Sequence, residues 1–304
     1  MTAPSRLFDR ALLRTRRRRA MAMGAETFLL DRVAQDLVDR LQTVTRRFPL
    51  ALDLATPGET LRRALAGSGQ VQTIVACEAL ADLRPSTGGP RVVADEEALP
   101  FARETFDLVA SALALQWVND LPGTLAQIRR MLKPDGLLLA ALPGGDTLNE
   151  LRQCLAIAED EIEGGASPRV APFVEVRALG SLLQRAGFAL PVTDIDRLTV
   201  RYQGLADLFR DLRRMGATNA LVERSRMPLK RATLARAAAL YAERFADPDG
   251  RLRATFELLW ISGWAPHASQ QKPLRPGSAK MRLADALGTR ERSAGDKANP
   301  RRRS

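Results

Sequence analysis

The stretch that decides the fold is residues 50–58, which reads Leu50-Ala51-Leu52-Asp53-Leu54-Ala55-Thr56-Pro57-Gly58. Its first half is a short apolar run, typical of a buried strand, with a single acid near its end. A turn with proline and glycine follows, and a helical pattern begins at Glu59. The stretch therefore predicts a strand, a turn and a helix, with Asp53 near the carboxyl end of the strand.

Further strands alternate with helices along the rest of the chain. Apolar runs predict strands at 48–54, 71–76, 92–94, 106–110, 137–142, 192–202 and 252–260. Helical periodicity fills most of the intervals, and two helices are predicted between the last two strands. Nearly continuous apolar strands of this kind indicate a parallel sheet covered on both faces. The predicted fold is α/β, with a mostly parallel seven-stranded sheet, helices on both faces and a helical insertion at about 203–250.

The positive charge is concentrated at the two ends of the chain. The 304 residues carry a net charge of +11, of which residues 1–20 contribute +6 and residues 271–304 contribute +7. The body between them is therefore close to neutral, at about −2. Because the body is not basic, a nucleic acid is not expected as a partner.

The same distribution suggests three segments. We expect a basic N-terminal arm at 1–24, a single domain at 25–270 and a basic, disordered tail at 271–304. An arginine-rich arm could contact an anionic membrane surface or an acidic protein surface, or it could simply be a solvated, flexible segment.

Several classes of protein are excluded by residue counts. Cys77 and Cys154 are the only cysteines, too few for a disulfide framework or an iron–sulfur cluster. His267 is the only histidine, which excludes a multi-histidine metal site, although it could serve as a general base or a single ligand. No apolar run approaches the roughly 18 residues that a bilayer span needs. We expect a cytoplasmic protein without a metal site of its own, and peripheral contact with the inner membrane stays open as an alternative.

The position of a ligand site follows from the fold class. In open parallel sheets the ligand lies beyond the carboxyl ends of the strands, near the point where the strand order reverses. That rule selects four loops, Asp53–Gly58, Cys77–Glu78, Asp95–Glu97 and Ser111–Trp117.

Several runs resemble one family in particular. The most specific are Trp117-Val118-Asn119-Asp120-Leu121-Pro122 and Gly144-Gly145-Asp146-Thr147-Leu148, and the similarity extends over roughly residues 6–280. They resemble the methyltransferase-like assembly factors of respiratory complex I, which have the Rossmann-like fold of class I S-adenosylmethionine (SAM)-dependent methyltransferases. The resemblance implies a protein that hydroxylates an arginine of an iron–sulfur subunit during maturation of NADH:quinone oxidoreductase.

The resemblance also implies site residues. SAM is the expected cofactor. The expected contacts to it are Asp53, Ala55, Gly58, Glu78, Asp95, Glu96, Ser111 and Leu113. The candidate catalytic residues are Gln116, Trp117, Asp146 and His267.

The chain departs from the usual SAM-binding pattern at three places. Ala55 stands where the pattern has its first glycine, and Pro57 lies near the second. An alanine there can clash with the ligand and disfavours a positive φ. Cys77 occupies the place of the acid that grips the ribose, although Glu78 follows it, and Gln116 stands where relatives often have histidine.

Ordinary structural roles compete with each functional assignment. Asp53 and Asp146 could cap the helices that follow them, the acids at 95–97 could form a solvated turn, and Trp117 could be a wall of the core. Three functions therefore remain open: an enzyme that modifies a protein arginine, a SAM-dependent methyltransferase, and a pseudoenzyme that acts as an assembly chaperone.

Overall fold

The computed structural model describes residues 6–80, 88–270 and 281–290. The chain forms two compact units, Met1–His267 and Ala268–Ser304. The second unit contains one short described helix, Leu283–Ala286. The sequence also predicts a helical stretch from Glu78 to Leu83, whose last three residues lie outside the described ranges.

The first unit is built on a seven-stranded sheet. Its strands are β1 (Phe48–Leu54), β2 (Val71–Glu78), β3 (Arg91–Val93), β4 (Phe106–Ala112), β5 (Leu132–Pro143), β6 (Ala189–Tyr202) and β7 (Leu252–Trp264). Their order across the sheet is β3-β2-β1-β4-β5-β7-β6. The first five strands pair in parallel, and β7 runs antiparallel to both of its neighbours. The prediction of a mostly parallel seven-stranded sheet is confirmed.

Helices cover both faces of this sheet. In the described part of the first unit they are α1 (Arg10–Ala22), α2 (Phe28–Gln42), α3 (Thr60–Gly67), α4 (Leu121–Met131), α5 (Asn149–Glu163), α6 (Val176–Arg185), α7 (Leu205–Arg214) and α8 (Arg231–Phe245). The last two lie between β6 and β7, so the predicted helical insertion is present. One turn of 3-10 helix, Leu115–Trp117, follows β4.

The central strands are apolar because helices bury them on both sides. All seven residues of β4 are buried, and neighbouring residues such as Leu108 and Val109 pack on opposite faces of the sheet. Val109 packs in the cluster that contains Leu179 of α6, whereas Leu108 packs in the cluster that contains Leu37 of α2. This alternation follows from the two-residue period of a strand.

The sheet brings the predicted loops to one edge. β1 lies between β2 and β4, with Leu54 paired to Cys77 and Asp53 paired to Ala110. The connections after β1, β2 and β4 therefore start side by side. The strand order reverses at β1, because β2 lies on one side of it and β4 on the other.

Within the basic N-terminal arm that the sequence predicts at 1–24, residues 10–22 form α1, which departs from the alternative of a solvated, flexible segment. Asp9 caps this helix, and its side chain accepts a hydrogen bond of 3.0 Å from the backbone N–H of Leu12. Leu13 and Ala20 are buried. Just before the helix, Phe8 forms an antiparallel bridge with Leu221. Residues 8–22 are therefore a folded part of the domain.

Candidate functional site

A cavity of about 1270 Å³ opens at the carboxyl edge of the sheet. Its walls come from the turns after β1, β2 and β4 and from the end of β5, with α1, α5, α7 and the loop before α8 closing it. The cavity thus lies where the topology predicts a ligand. α1 contributes to its wall, which the sequence did not predict.

Asp53 lies at the end of β1, with only 3% of its surface exposed. Its Oδ1 atom is buried and has no hydrogen-bond partner, while Oδ2 lies 3.7 Å from Nε of Arg62. Burial raises the pKa of this carboxyl to about 7, against the lowering effects of hydrogen bonding to Thr56 and of the charge of Arg62. Asp53 is therefore a carboxyl poised near neutral pH with one unsatisfied oxygen.

The turn after β1 adopts a glycine-like conformation without its first glycine. Ala55 has φ +60°, the left-handed region that disfavours residues with a side chain, and its N–H donates to the carbonyl of Cys77 at 2.7 Å. Ala55 and Pro57 both line the cavity. Gly58, at φ +71°, also lines it and has open space where a side chain would be.

Two buried hydroxyls hold this turn against β4. Oγ of Ser111 donates to the carbonyl of Leu54 at 2.8 Å, and Oγ1 of Thr56 accepts from the backbone N–H of Ala112 at 3.0 Å. Such bracing explains how an alanine is kept at a strained φ. Ser111 is fully buried and is not part of the cavity wall, so its predicted contact with the cofactor is replaced by a bracing role.

The acid at the end of β2 is Glu78. It lines the cavity, and its Oε1 lies 2.9 Å from Nε of Arg91. Burial raises the pKa of Glu78, and the nearby charges of Arg91 and Arg62 oppose this. The preceding Cys77 points into the core, where burial raises the pKa of its thiol to about 12. The displaced acid therefore reaches the cavity one residue later than the family pattern places it.

The acidic turn at 95–97 is bound to the arginines of α1. Arg10 contacts the carboxylates of Asp95 at 3.1 Å and Glu97 at 3.0 Å, and it also pairs with Glu96. Arg14 lies 3.3 Å from Asp95, and Arg17 lies 3.7 Å from Glu96. None of these three acids is in the cavity wall, whereas Arg17 is. The predicted cofactor contacts of Asp95 and Glu96 are thus replaced by ion pairs within the chain.

Arg17 is the member of this network that meets the cavity. Burial, with repulsion from Arg10, lowers the pKa of its guanidinium to about 10, and its Nη2 atom has no hydrogen-bond partner. Arg17 could not be selected from the sequence, because its position depends on a helix that was not predicted.

Gln116 and Trp117 follow β4 and form part of the wall. Nε2 of Gln116 donates to the carbonyl of Leu113 at 2.8 Å, which fixes the orientation of the amide. Its Oε1 atom is buried and has no partner. Trp117 packs edge-to-face on Phe8, with ring centroids 5.4 Å apart. Leu113, at φ +51°, also lines the cavity.

Two predicted catalytic residues lie away from the cavity. Asp146 is outside the wall and pairs with Arg197 of β6, and it does not cap α5, which begins at Asn149. His267 follows β7, whose last residue, Trp264, pairs with Leu137 near the start of β5. Because β7 runs antiparallel, His267 lies beyond the edge of the sheet opposite to the cavity. The structure therefore does not bring Asp146 and His267 into the cavity.

The cavity suits an adenosyl cofactor better than a metal. Glu78 offers a carboxylate at the end of the second strand, and Gly58 leaves space for close approach of a ligand. Asp53 is not in the cavity wall, but it lies two residues before the lining residue Ala55 and has an unsatisfied buried oxygen. These are the positions at which SAM enzymes of this fold contact the methionine and ribose parts. Within residues 6–80, 88–270 and 281–290, no three His, Cys, Asp or Glu side chains are grouped so that they could hold a metal ion. In the same ranges, no helix combines the length and apolarity needed to cross a membrane.

Comparison with known proteins agrees with this geometry. Residues 52–140 match the family described as methyltransferase domain. The chain is 40% identical over 291 residues to a Danio rerio protein named arginine-hydroxylase NDUFAF5, mitochondrial, covering 92% of this chain and 89% of the relative.

One further sequence relative and one solved structure show that the same fold occurs in other methyltransferases. A malonyl-[acyl-carrier protein] O-methyltransferase of Laribacter hongkongensis is 41% identical over 186 residues, which cover 61% of this chain and 60% of the relative. A Bacillus halodurans protein crystallised as a candidate methyltransferase superposes with a TM-score of 0.53 at 18% identity, over 76% of this chain and 99% of that one. The chain therefore belongs to the NDUFAF5 arginine-hydroxylase family, within the superfamily of class I SAM-dependent methyltransferases.

Proposed function

We propose that this chain is an arginine hydroxylase acting on a partner protein. The observation that carries the proposal is the 40% identity over 92% of the chain to a protein named for that activity. A cavity of about 1270 Å³ also has room for an extended side chain beside a cofactor. The similarity continues well beyond the methyltransferase domain match at 52–140, into the segments that close the cavity.

Residues of the cavity have distinct proposed roles. Gly58 and Glu78 would hold SAM, with Ala55 and Leu113 as apolar contacts and the buried Asp53 supporting the turn next to them. When bound, SAM supplies an electrophilic sulfonium methyl group. The unpartnered Oε1 atom of Gln116 would accept a hydrogen bond from the target guanidinium.

Hydroxylation needs dioxygen and a reductant, which this chain does not supply by itself. A C–H bond of the arginine is replaced by a C–OH bond, and the oxygen atom comes from dioxygen. The second oxygen atom leaves as water, which takes up two electrons and two protons from an external reductant. The contribution of the cavity is to orient the side chain and, through walls such as Trp117 and Leu113, to exclude water from the reacting carbon.

The proposed partner is an iron–sulfur subunit of NADH:quinone oxidoreductase, as the family-specific runs such as Gly144–Leu148 suggest. The chain would meet this subunit during assembly, in peripheral contact with the membrane that holds the complex. Co-purification of the two proteins from cells that lack later assembly steps would support the pairing. Recovery of the subunit without this chain, under conditions that keep other assembly factors bound, would count against it.

The reaction is tested by mass spectrometry of the subunit. Co-expression with the chain should add the mass of one oxygen atom to a single arginine, and the modified fraction should fall with Gln116→Leu. A mass increase equal to one methylene group would show that the reaction is methyl transfer and not hydroxylation. An unmodified subunit that still requires the chain for assembly would indicate a chaperone.

Methyl transfer is the second candidate, and two observations favour it. Residues 52–140 match a methyltransferase domain, and the Laribacter hongkongensis methyltransferase is as similar over 61% of the chain as the arginine hydroxylase is over 92%. A SAM pocket built from Gly58 and Glu78 would serve that reaction directly. The mass test separates the two candidates because the two products differ in mass.

A further inference from the structure

The charge of the cavity wall does not match the charge of an arginine side chain. The wall contains nine arginines and three glutamates. Each of these glutamates already faces an arginine: Glu26 lies 3.1 Å from Arg214, Glu59 lies 3.8 Å from Arg62, and Glu78 lies 2.9 Å from Arg91. A guanidinium that entered alone would meet a positive wall.

Five of the nine wall arginines have no carboxylate within ion-pairing distance among the described residues. They come from α1, α3, α7 and the loop before α8, and they are Arg16, Arg19, Arg63, Arg213 and Arg226. All but Arg16 are exposed, so they lie at the mouth of the cavity rather than in its depth. Arg63, Arg213 and Arg226 belong to residues 21–270, which are nearly neutral in sum, whereas Arg16 and Arg19 belong to residues 1–20, which carry +6.

We propose that the mouth of the cavity docks an acidic segment of the partner protein, and that this segment carries the target arginine. The inference rests on the proposed function and adds the class of substrate. Carboxylates on either side of the target would pair with the mouth arginines and offset the repulsion that its guanidinium meets. Complementary charge of this kind steers encounter and fixes register more than it adds affinity, and it is weakened by salt.

Binding of labelled peptides to the full chain tests the proposal. One peptide has a single arginine flanked on both sides by glutamates, and two matched peptides have glutamine or lysine in place of glutamate. At about 0.1 M salt, the affinity measured by fluorescence anisotropy should be highest for the glutamate peptide, lower for the glutamine peptide and lowest for the lysine peptide. The three should converge at about 1 M salt, where the screening length is about 3 Å.

A pair of variants locates the binding surface. Arg213→Glu with Arg226→Glu should weaken binding of the acidic peptide about tenfold at low salt. Arg47→Glu with Arg103→Glu makes the same change in net charge, but these exposed arginines precede β1 and β4, at the opposite edge of the sheet. The second pair should leave binding unchanged. Urea unfolding of both pairs shows whether either change has altered the fold.

The outcomes separate this inference from the proposed function. Equal binding of the glutamate and glutamine peptides, or equal loss with both variant pairs, would overturn acidic docking. Tighter binding of a uridine oligonucleotide or of anionic vesicles than of the acidic peptide would overturn it as well. If the acidic peptide binds as expected but its arginine never gains an oxygen atom in the presence of the complete system, docking stands and the hydroxylase function fails.

Discussion

Replacement of Asp53 by asparagine should stabilise the protein at neutral pH and above. Burial raises the pKa of this carboxyl from 3.8 to about 7. An acid with a higher pKa in the folded chain binds its proton more tightly there, so it favours folding at low pH. The free energy of unfolding of the wild type should therefore contain a contribution that falls as the pH rises from about 4 to about 7 and is constant above.

The size of this contribution follows from the pKa. A rise from 3.8 to about 7, at about 1.4 kcal/mol per pKa unit, corresponds to at most about 4 kcal/mol. Asparagine has nearly the same shape and is neutral at every pH. It cannot keep the attraction between Oδ2 and Arg62, which is already included in the net shift. We expect Asp53→Asn to be more stable than wild type by about 2–4 kcal/mol at pH 8 and by much less at pH 4.

Urea unfolding followed by circular dichroism measures this difference across the pH range. The difference between the two proteins isolates Asp53, because all other groups titrate in both. Asp39→Asn, on the exposed face of α2, is the matched control and should follow the wild type. If the curves of wild type and Asp53→Asn stay parallel from about pH 4 to about pH 8, the carboxyl is not desolvated and the reasoning is refuted.

Three further predictions concern the turn, the N-terminal helix and the wall. Ala55→Gly should change the free energy of unfolding by less than about 1 kcal/mol, because relief at positive φ offsets the entropy of glycine, whereas Ala55→Val should cost more than about 2 kcal/mol in chemical denaturation. Arg10→Gln should lower the free energy of unfolding by about 2–4 kcal/mol and speed tryptic cleavage within α1, because Glu96 loses its main partner. An unchanged digestion rate would show that this ion pair does not hold α1 in place. Gln116→Leu should raise KM for an arginine peptide about tenfold without changing SAM affinity in calorimetry, while His267→Ala should leave both constants at the wild-type value.

The sheet could be predicted from the sequence because its signals are local. β1 has the predicted bounds, since an apolar run is closed by the proline and glycine of the following turn. α1 could not be predicted in this way. Arginines dominate its sequence and hide the apolar pattern of a helix. The acids that pair with it, such as Asp95 and Glu96, lie about 80 positions further along the chain.

The candidate site was predicted to within one loop, but not residue by residue. Loops after parallel strands converge at one edge, which placed Ala55, Glu78 and Gln116 together in the cavity wall. His267 lies away from the cavity because β7 runs antiparallel, and the direction of a strand is not visible in its own apolar pattern. The departure at Ala55 suggested a damaged turn, whereas the structure keeps a glycine-like turn by bracing it through buried hydroxyls.

Calorimetric titration of the purified chain with SAM is the most direct test of the proposed cofactor site. We expect the cavity to bind SAM in spite of Ala55. The wild type should bind, Glu78→Gln should lose about tenfold or more in affinity, and Asp146→Asn should keep the wild-type affinity, since only the first of these acids lines the cavity. Absence of heat with the wild type, or equal affinities for wild type and Glu78→Gln, would contradict this expectation.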